Sequence, residues 1–200
     1  AMGANAKATS QDCVAIGDVA TATGNRSTVL GGYQGTASAS GAVVLGGNSN
    51  TSSGVISTTI GGQENIASGQ ASVAWGIEAK ADIYGKKAYA SGKFNGDVVI
   101  GNAQGGQFIL RADTTDATAT VLTTNNNTAA ATNQIVAASD TCIMFSGTLV
   151  AMQNGAQDQG GWEIKGLLKN DGGTTTLVSS NIQTFDDGNG WVVALTADNT

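Results

Sequence analysis

One feature constrains this chain more than any other: a short apolar strand closed by glycine returns at a nearly fixed interval. Val14-Ala15-Ile16-Gly17, Thr28-Val29-Leu30-Gly31, Val43-Val44-Leu45-Gly46, Thr58-Thr59-Ile60-Gly61 and Val73-Ala74-Trp75-Gly76 are full copies, and Met2-Gly3 is a shortened first one. The anchoring glycines Gly3, Gly17, Gly31, Gly46, Gly61 and Gly76 lie 14, 14, 15, 15 and 15 residues apart. Self-similarity at a fixed period is the signature of stacked structural units, each too small to bury a core alone.

Within each copy the residue before the anchor (Met2, Ile16, Leu30, Leu45, Ile60, Trp75) and the one two earlier (Val14, Thr28, Val43, Thr58, Val73) share one face of a strand, because side chains alternate with period 2. A second strand follows with small residues alternating, as in Ala6/Ala8, Ala20/Ala22 and Ala37/Ala39, and a second glycine (Gly24, Gly54, Gly69) stands seven before the next anchor. Two strands and two turns make one coil. So thin a coil depends on its neighbours in the stack and on neighbouring chains, and the small residues allow close approach; a parallel homotrimer is predicted. Cys13 occupies the slot that Ser27, Ser57 and Ser72 fill in other copies, which reads as a small packed side chain, and Trp75 in an Ile/Leu slot reads as core.

Composition fits this reading. There are 29 glycines, no proline and only 12% charged residues, the profile of tight turns and small side chains. The net charge of −6 and nine scattered basic residues give no surface for a phosphate backbone, so nucleic acid is not an expected partner. No stretch approaches the ~18 apolar residues a membrane helix needs, and no membrane insertion is expected. Cys13 and Cys142 are far apart and read as reduced, packed thiols.

From about Ala103 the period vanishes, dividing the chain into a repeat region, 1–102, and a second domain, 103–200. Strand candidates there are Gln107–Arg111, Ala119–Thr123, Gln134–Ala138, Thr141–Gln153, Gly161–Lys169, Thr174–Val178, Ile182–Phe185 and Trp191–Leu195, between turns rich in Asn, Gly and Asp. Eight short strands predict a β-sandwich or jelly roll. Thr141–Met152 is too apolar for an exposed edge and is expected to be central, with Trp162 and Trp191 in the core.

Chemistry is sparse. The chain has no histidine, which removes His-based triads and the usual zinc ligands. Asp186-Asp187, Asp113/Asp116 and Glu163 are the places to look for a glycosidase pair, but the aspartates read as turn and loop residues. No phosphate cradle follows the glycines. No catalytic residue, metal or cofactor is expected, and the chain is not expected to be an enzyme. Tyr33, after Gly31-Gly32 and outside the strand pattern, is the aromatic residue expected to be exposed.

In outline, A-x-A-x-G-x-x-S-x-[VT]-x-[IL]-G, the copies resemble the left-handed parallel β-roll repeats of YadA-like head domains, found in trimeric autotransporter adhesins and bacteriophage tail fibres; the second glycine at Gly32, Gly47 and Gly62 departs from that pattern. Ala88-Tyr89-Ala90-Ser91-Gly92-Lys93-Phe94 and Gly96-Asp97 resemble the junction that ends the roll in phage tail fibres. Phe145-Ser146-Gly147-Thr148-Leu149-Val150-Ala151 and Gly161-Trp162-Glu163-Ile164-Lys165-Gly166 resemble the C-terminal domains of the same proteins. The resemblance implies a homotrimeric virion component that joins other tail proteins and attaches to a glycan or protein receptor on the host surface. It also implies a further strand beyond Thr200, in a longer protein. The alternative is the head of a bacterial trimeric autotransporter adhesin at the bacterial cell surface, though no heptads of a coiled-coil stalk are present.

Overall fold

In a computed structural model, described for residues 1–94, 96, 98–116, 118–155, 158–187 and 190–198, the chain is all-β and divides into two compact units, Ala1–Ile135 and Val136–Thr200. The first is a β-solenoid of stacked parallel coils. Its first sheet holds β1 (Lys7–Ala8), β3 (Thr21–Ala22), β5 (Thr36–Ala37), β7 (Thr51–Ser52), β9 (Ile66–Ala67) and β11 (Lys80–Ala81) in that order. The second holds β2 (Val14–Asp18), β4 (Thr28–Tyr33), β6 (Val43–Leu45), β8 (Thr58–Gln63), β10 (Val73–Ile77) and β12 (Lys87–Ser91), with β13 (Gln104–Gln107) antiparallel at its end.

Each coil turns twice through left-handed backbone. One corner places Asn5, Val19, Gln34, Ser49, Glu64 and Glu78 at positive φ, and the other Asp12, Arg26, Gly41, Ile56, Ala71 and Gly85. The 15-residue spacings coincide with the doubled glycines. Ladder register slips where a 14-residue coil meets a 15-residue one, between Ile16 and Asp18 against β4 and between Trp75 and Ile77 against β8. Glycine is needed at the second position of each pair, since a Cβ on Gly32, Gly47 or Gly62 would stand within about 2.3 Å of the next coil's backbone.

The interior is thin. Ala15, Val29, Val44, Thr59, Ala74 and Ala88 from the second sheet meet Ala22, Ala37, Ser52, Ala67 and Ala81 from the first, all fully buried. Two buried asparagines extend this column: Asn50 donates to Gly46 O at 2.9 Å and Gly61 O at 2.9 Å, while its Oδ1 accepts from Asn65 N at 2.9 Å and Asn65 Nδ2 at 3.1 Å. Asn65 donates onward to Gly76 O at 2.7 Å and accepts from Ala79 N at 2.9 Å. The side chains thus carry bonds between coils where the backbone turns a corner and has no ladder partner.

In the second unit, β14 (Thr141–Met152), β15 (Gln159–Asp171) and β16 (Thr174–Asp187) form an antiparallel meander in that order. Here the structure corrects the sequence reading. β14 is an edge strand, not a central one, and the two segments expected at Thr174–Val178 and Ile182–Phe185 are one continuous strand, with a bulge opposite Leu167/Leu168. Within the described residues Gln134–Ala138 and Trp191–Leu195 carry no strand, and Ala119–Thr123 supplies only an isolated bridge, Thr123 to Arg111. The strand expected at Gln107–Arg111 lies at Gln104–Gln107 and joins the solenoid sheet instead of the second unit. Length explains the errors: periodicity marks alternation, but a bulge breaks the alternation without breaking the strand.

Candidate assembly surface

The anchor glycines Gly17, Gly31, Gly61 and Gly76 lie within strands of the second sheet, and the residue before each points away from the solenoid interior. Met2, Ile16, Leu30, Leu45, Ile60, Trp75 and Tyr89 therefore stack as a ladder on the outer face, in register Ile16–Leu30, Leu30–Leu45, Leu45–Ile60, Ile60–Trp75 and Trp75–Tyr89. Met2, Leu30, Leu45, Ile60 and Tyr89 remain 41–65% exposed. Trp75, expected in the core, is only half-buried on this face, with its ring tilted against Tyr89 at 5.9 Å between centroids. Alternation is the cause: the residue between the two apolar columns turns inward, so Ala74 and not Trp75 is fully buried.

Ordinary sheets put large apolar residues inside and small ones out. This solenoid does the reverse. Its fully buried side chains are no larger than valine, threonine or asparagine, with Ile83 of the last coil 3% exposed, while its outer ladder carries isoleucine, leucine, methionine, tryptophan and tyrosine. Val14, Thr28, Val43, Thr58, Val73 and Lys87 run beside that ladder on the same face. A contiguous apolar stripe of this kind marks an association surface. Covering it would recover roughly 1 kcal/mol for each half-exposed side chain, half of the value for full burial.

The remaining residues singled out by sequence do not converge on a catalytic group. Cys13 sits half-buried, its Sγ donating to Ser10 O at 2.8 Å, and Cys142 is exposed on β14, not packed as expected; both are free thiols. Asp186 and Asp187 end β16 and do not form a turn, with Asp186 accepting from Gln159 at 3.0 Å; Gly188 lies outside the described residues. Asp113 accepts from Asn126 Nδ2 at 2.8 Å in a loop, Asp116 accepts from Thr118 N, which holds its carboxyl below the usual range, and Glu163 on β15 pairs with Lys165 at 2.8 Å. Asp97 of the junction also lies outside the described residues. Trp162 is buried and Trp191 is half-buried, and both line one shallow pocket. Tyr33 is exposed, as its place after the doubled glycine predicts, and bridges to Asn48 in the next coil. Among the described residues no three His, Cys, Asp or Glu side chains gather as a metal site would require, and no helix is long and apolar enough to cross a membrane.

Comparison with protein-family models, with curated proteins and with solved structures finds no match. The fold defines the class: a parallel β-solenoid of the β-roll type, followed in sequence by an antiparallel sheet.

Proposed function

We propose that this chain is a trimer-forming structural and adhesive segment of a bacteriophage tail fibre, attaching a virion to its host's surface by binding without catalysis. The single observation that carries the assembly reading is the outward ladder Leu30–Leu45–Ile60 with its neighbours, on a solenoid whose fully buried side chains are no larger than valine, threonine or asparagine. Three parallel copies would turn their ladders to a common axis and bury there the apolar bulk each coil lacks. The tail-fibre setting rests on the junction Ala88–Phe94 and on the phrases in β14 and β15, which resemble those proteins. In the same proposal the second unit, as a sandwich or jelly roll, presents the receptor-contacting surface.

Light scattering tests the assembly directly. A mass of three chains is expected, and Leu45→Asp should reduce it to one, because three carboxylates would be buried together at the axis. A monomeric parent, or a stable Leu45→Asp trimer, refutes the assignment. The adhesive role is tested separately, by whether the soluble protein competes with phage adsorption to host cells.

A further inference from the structure

In the second unit the register of the antiparallel sheet builds a concave site. Gly160 and Gly161 precede Trp162 on β15, and the pairing with β16 shifts between Gly161 and Trp162. The shift sets Trp162 opposite Thr184 and Gly160 opposite Asp187, leaving Phe185 bulged out of the ladder. Gly160 has no room for a side chain, since a Cβ there would collide with the Trp162 ring. The indole therefore lies across Gly160, on the sheet face that its cross-strand neighbours Thr184 and Asp187 share. Beyond Asp187 the chain doubles back, with Trp191 N donating to Asp187 O at 2.6 Å. Trp162, Ile182, Thr184, Asp187 and Trp191 are then among the residues lining an open cavity of about 500 Å³, within the range of roughly 300–1,000 Å³ that small-molecule sites occupy. Trp162 is 4% exposed, whereas Trp191 is half-buried and keeps part of its side chain open.

We infer that this cavity holds one pyranose ring of an uncharged glycan, with Trp191 as its stacking wall and the Asp187 carboxylate and Thr184 hydroxyl as its polar contacts. The inference rests on the adhesive reading above and gives it a site. A pyranose has an apolar C–H face and a rim of hydroxyls, and the cavity offers a counterpart to each: indole surface on one side, a carboxylate and a hydroxyl on the other. A carboxylate accepts at about four lone-pair positions, so Asp187 can take sugar hydroxyls alongside the partners the protein gives it. A wholly apolar ligand fits worse. So open a cavity would leave it partly in water, and Asp187 would lose hydration without gaining a donor. An acidic sugar is disfavoured by charge, because Asp186 stands beside Asp187 and, among the described residues, no lysine or arginine lines the cavity. The contacts are held in advance, on a paired strand and on an indole fixed over Gly160, so little further ordering is needed on binding.

The test is titration of the full chain with the methyl glycosides of glucose, galactose, mannose, rhamnose and N-acetylglucosamine, and with N-acetylneuraminic acid as the charged comparison. Saturation-transfer NMR and tryptophan emission follow the binding. At least one neutral glycoside should bind in the millimolar range, and the acid at least tenfold more weakly. Trp191→Ala should weaken binding at least tenfold, Trp191→Phe should keep most of it, and Asp187→Asn should weaken it several-fold, each with circular dichroism unchanged. If Trp191→Ala alters the dichroism, Thr184→Ala and Asp187→Asn decide, and parent-like affinity in both overturns the inference. It is also overturned if no neutral glycoside binds, if the acid binds equally well, or if a folded Trp191→Ala binds like the parent. Competition with phage adsorption to host cells separates this site from the reading it rests on. If the parent and Trp191→Ala compete equally, adhesion stands and the site falls; if the parent binds a glycoside yet does not compete, the site stands and the tail-fibre reading falls.

Discussion

Replacing Asn65 with alanine tests a buried polar side chain of the solenoid interior whose bonds can be followed atom by atom. The methyl group fits, since Ala79 occupies the same slot one coil later and is fully buried. What changes is bonding. Ala79 N–H loses its acceptor, Asn65 Oδ1, and Gly76 O loses the amide that donates to it at 2.7 Å. Gly61 O keeps a donor, Asn50 Nδ2, at 2.9 Å. Two buried backbone groups are left unsatisfied, at about 1–3 kcal/mol each, so a loss of roughly 2–6 kcal/mol is expected. Urea unfolding at fixed protein concentration, followed by circular dichroism, reads this as a lower midpoint at unchanged slope. Asn65→Asp should be worse at neutral pH, because it retains the acceptor for Ala79 N but places a buried carboxylate against two carbonyl oxygens. Its burial raises the carboxyl's folded pKa, so its deficit should shrink as the pH falls. A shift below about 0.5 kcal/mol for Asn65→Ala would refute the accounting and mean that water reaches this column.

Other positions test other parts of the design. Ser57 Oγ is buried with no partner among the described residues, and Ala42 fills the same slot in the preceding coil, so Ser57→Ala should raise the urea midpoint by about 1 kcal/mol. Ile56 is a β-branched residue at φ 52°, 57% exposed, and Ile56→Asn should stabilise by about 1 kcal/mol in thermal unfolding by relieving the left-handed backbone. Gly47→Ala should prevent soluble folding, since its Cβ would meet Gly62 O at 2.3 Å, whereas Gly31→Ala, with open space around it, should cost only about 1–2 kcal/mol of backbone strain in the same assay. Burial would raise the Asp82 carboxyl, but the Lys86 ammonium at 3.0 Å, with Lys80 beyond it, outweighs burial and holds it below its ordinary value. A depressed carboxyl contributes stability that is present above about pH 4 and lost as the pH falls through the lower folded value. Asp82→Asn should therefore flatten the acid limb of the stability profile, and an unchanged limb would assign acid unfolding to other carboxylates.

Much of the first unit was legible because its signal is local and repeated. Each anchor glycine marks a strand of the second sheet, every 15-residue spacing coincides with a doubled glycine, and the ladder register slips where 14- and 15-residue coils meet. The second unit was less legible. Thr141–Met152 reads as central by its apolarity, yet it lies at an edge with Met144, Val150 and Met152 81%, 79% and 78% exposed. Apolarity reports that a strand is to be covered, and it is silent on which element covers it. Gln104 was invisible for a different reason: an amide standing in for backbone across 24 residues leaves no mark in composition or period.

The sequence by itself determined the coil: its length, its two strands, its corners and the face on which its large side chains stack, since alternation and glycine stereochemistry act between near neighbours. Only the tertiary structure decided which face is interior, that Asn50 and Asn65 carry the bonds between coils, and that the Gln104 amide bonds to the Lys80 backbone at the end of the first sheet. Those outcomes depend on which columns meet across a coil 14 or 15 residues apart, and on the pairing of free backbone groups, which only the folded chain brings together.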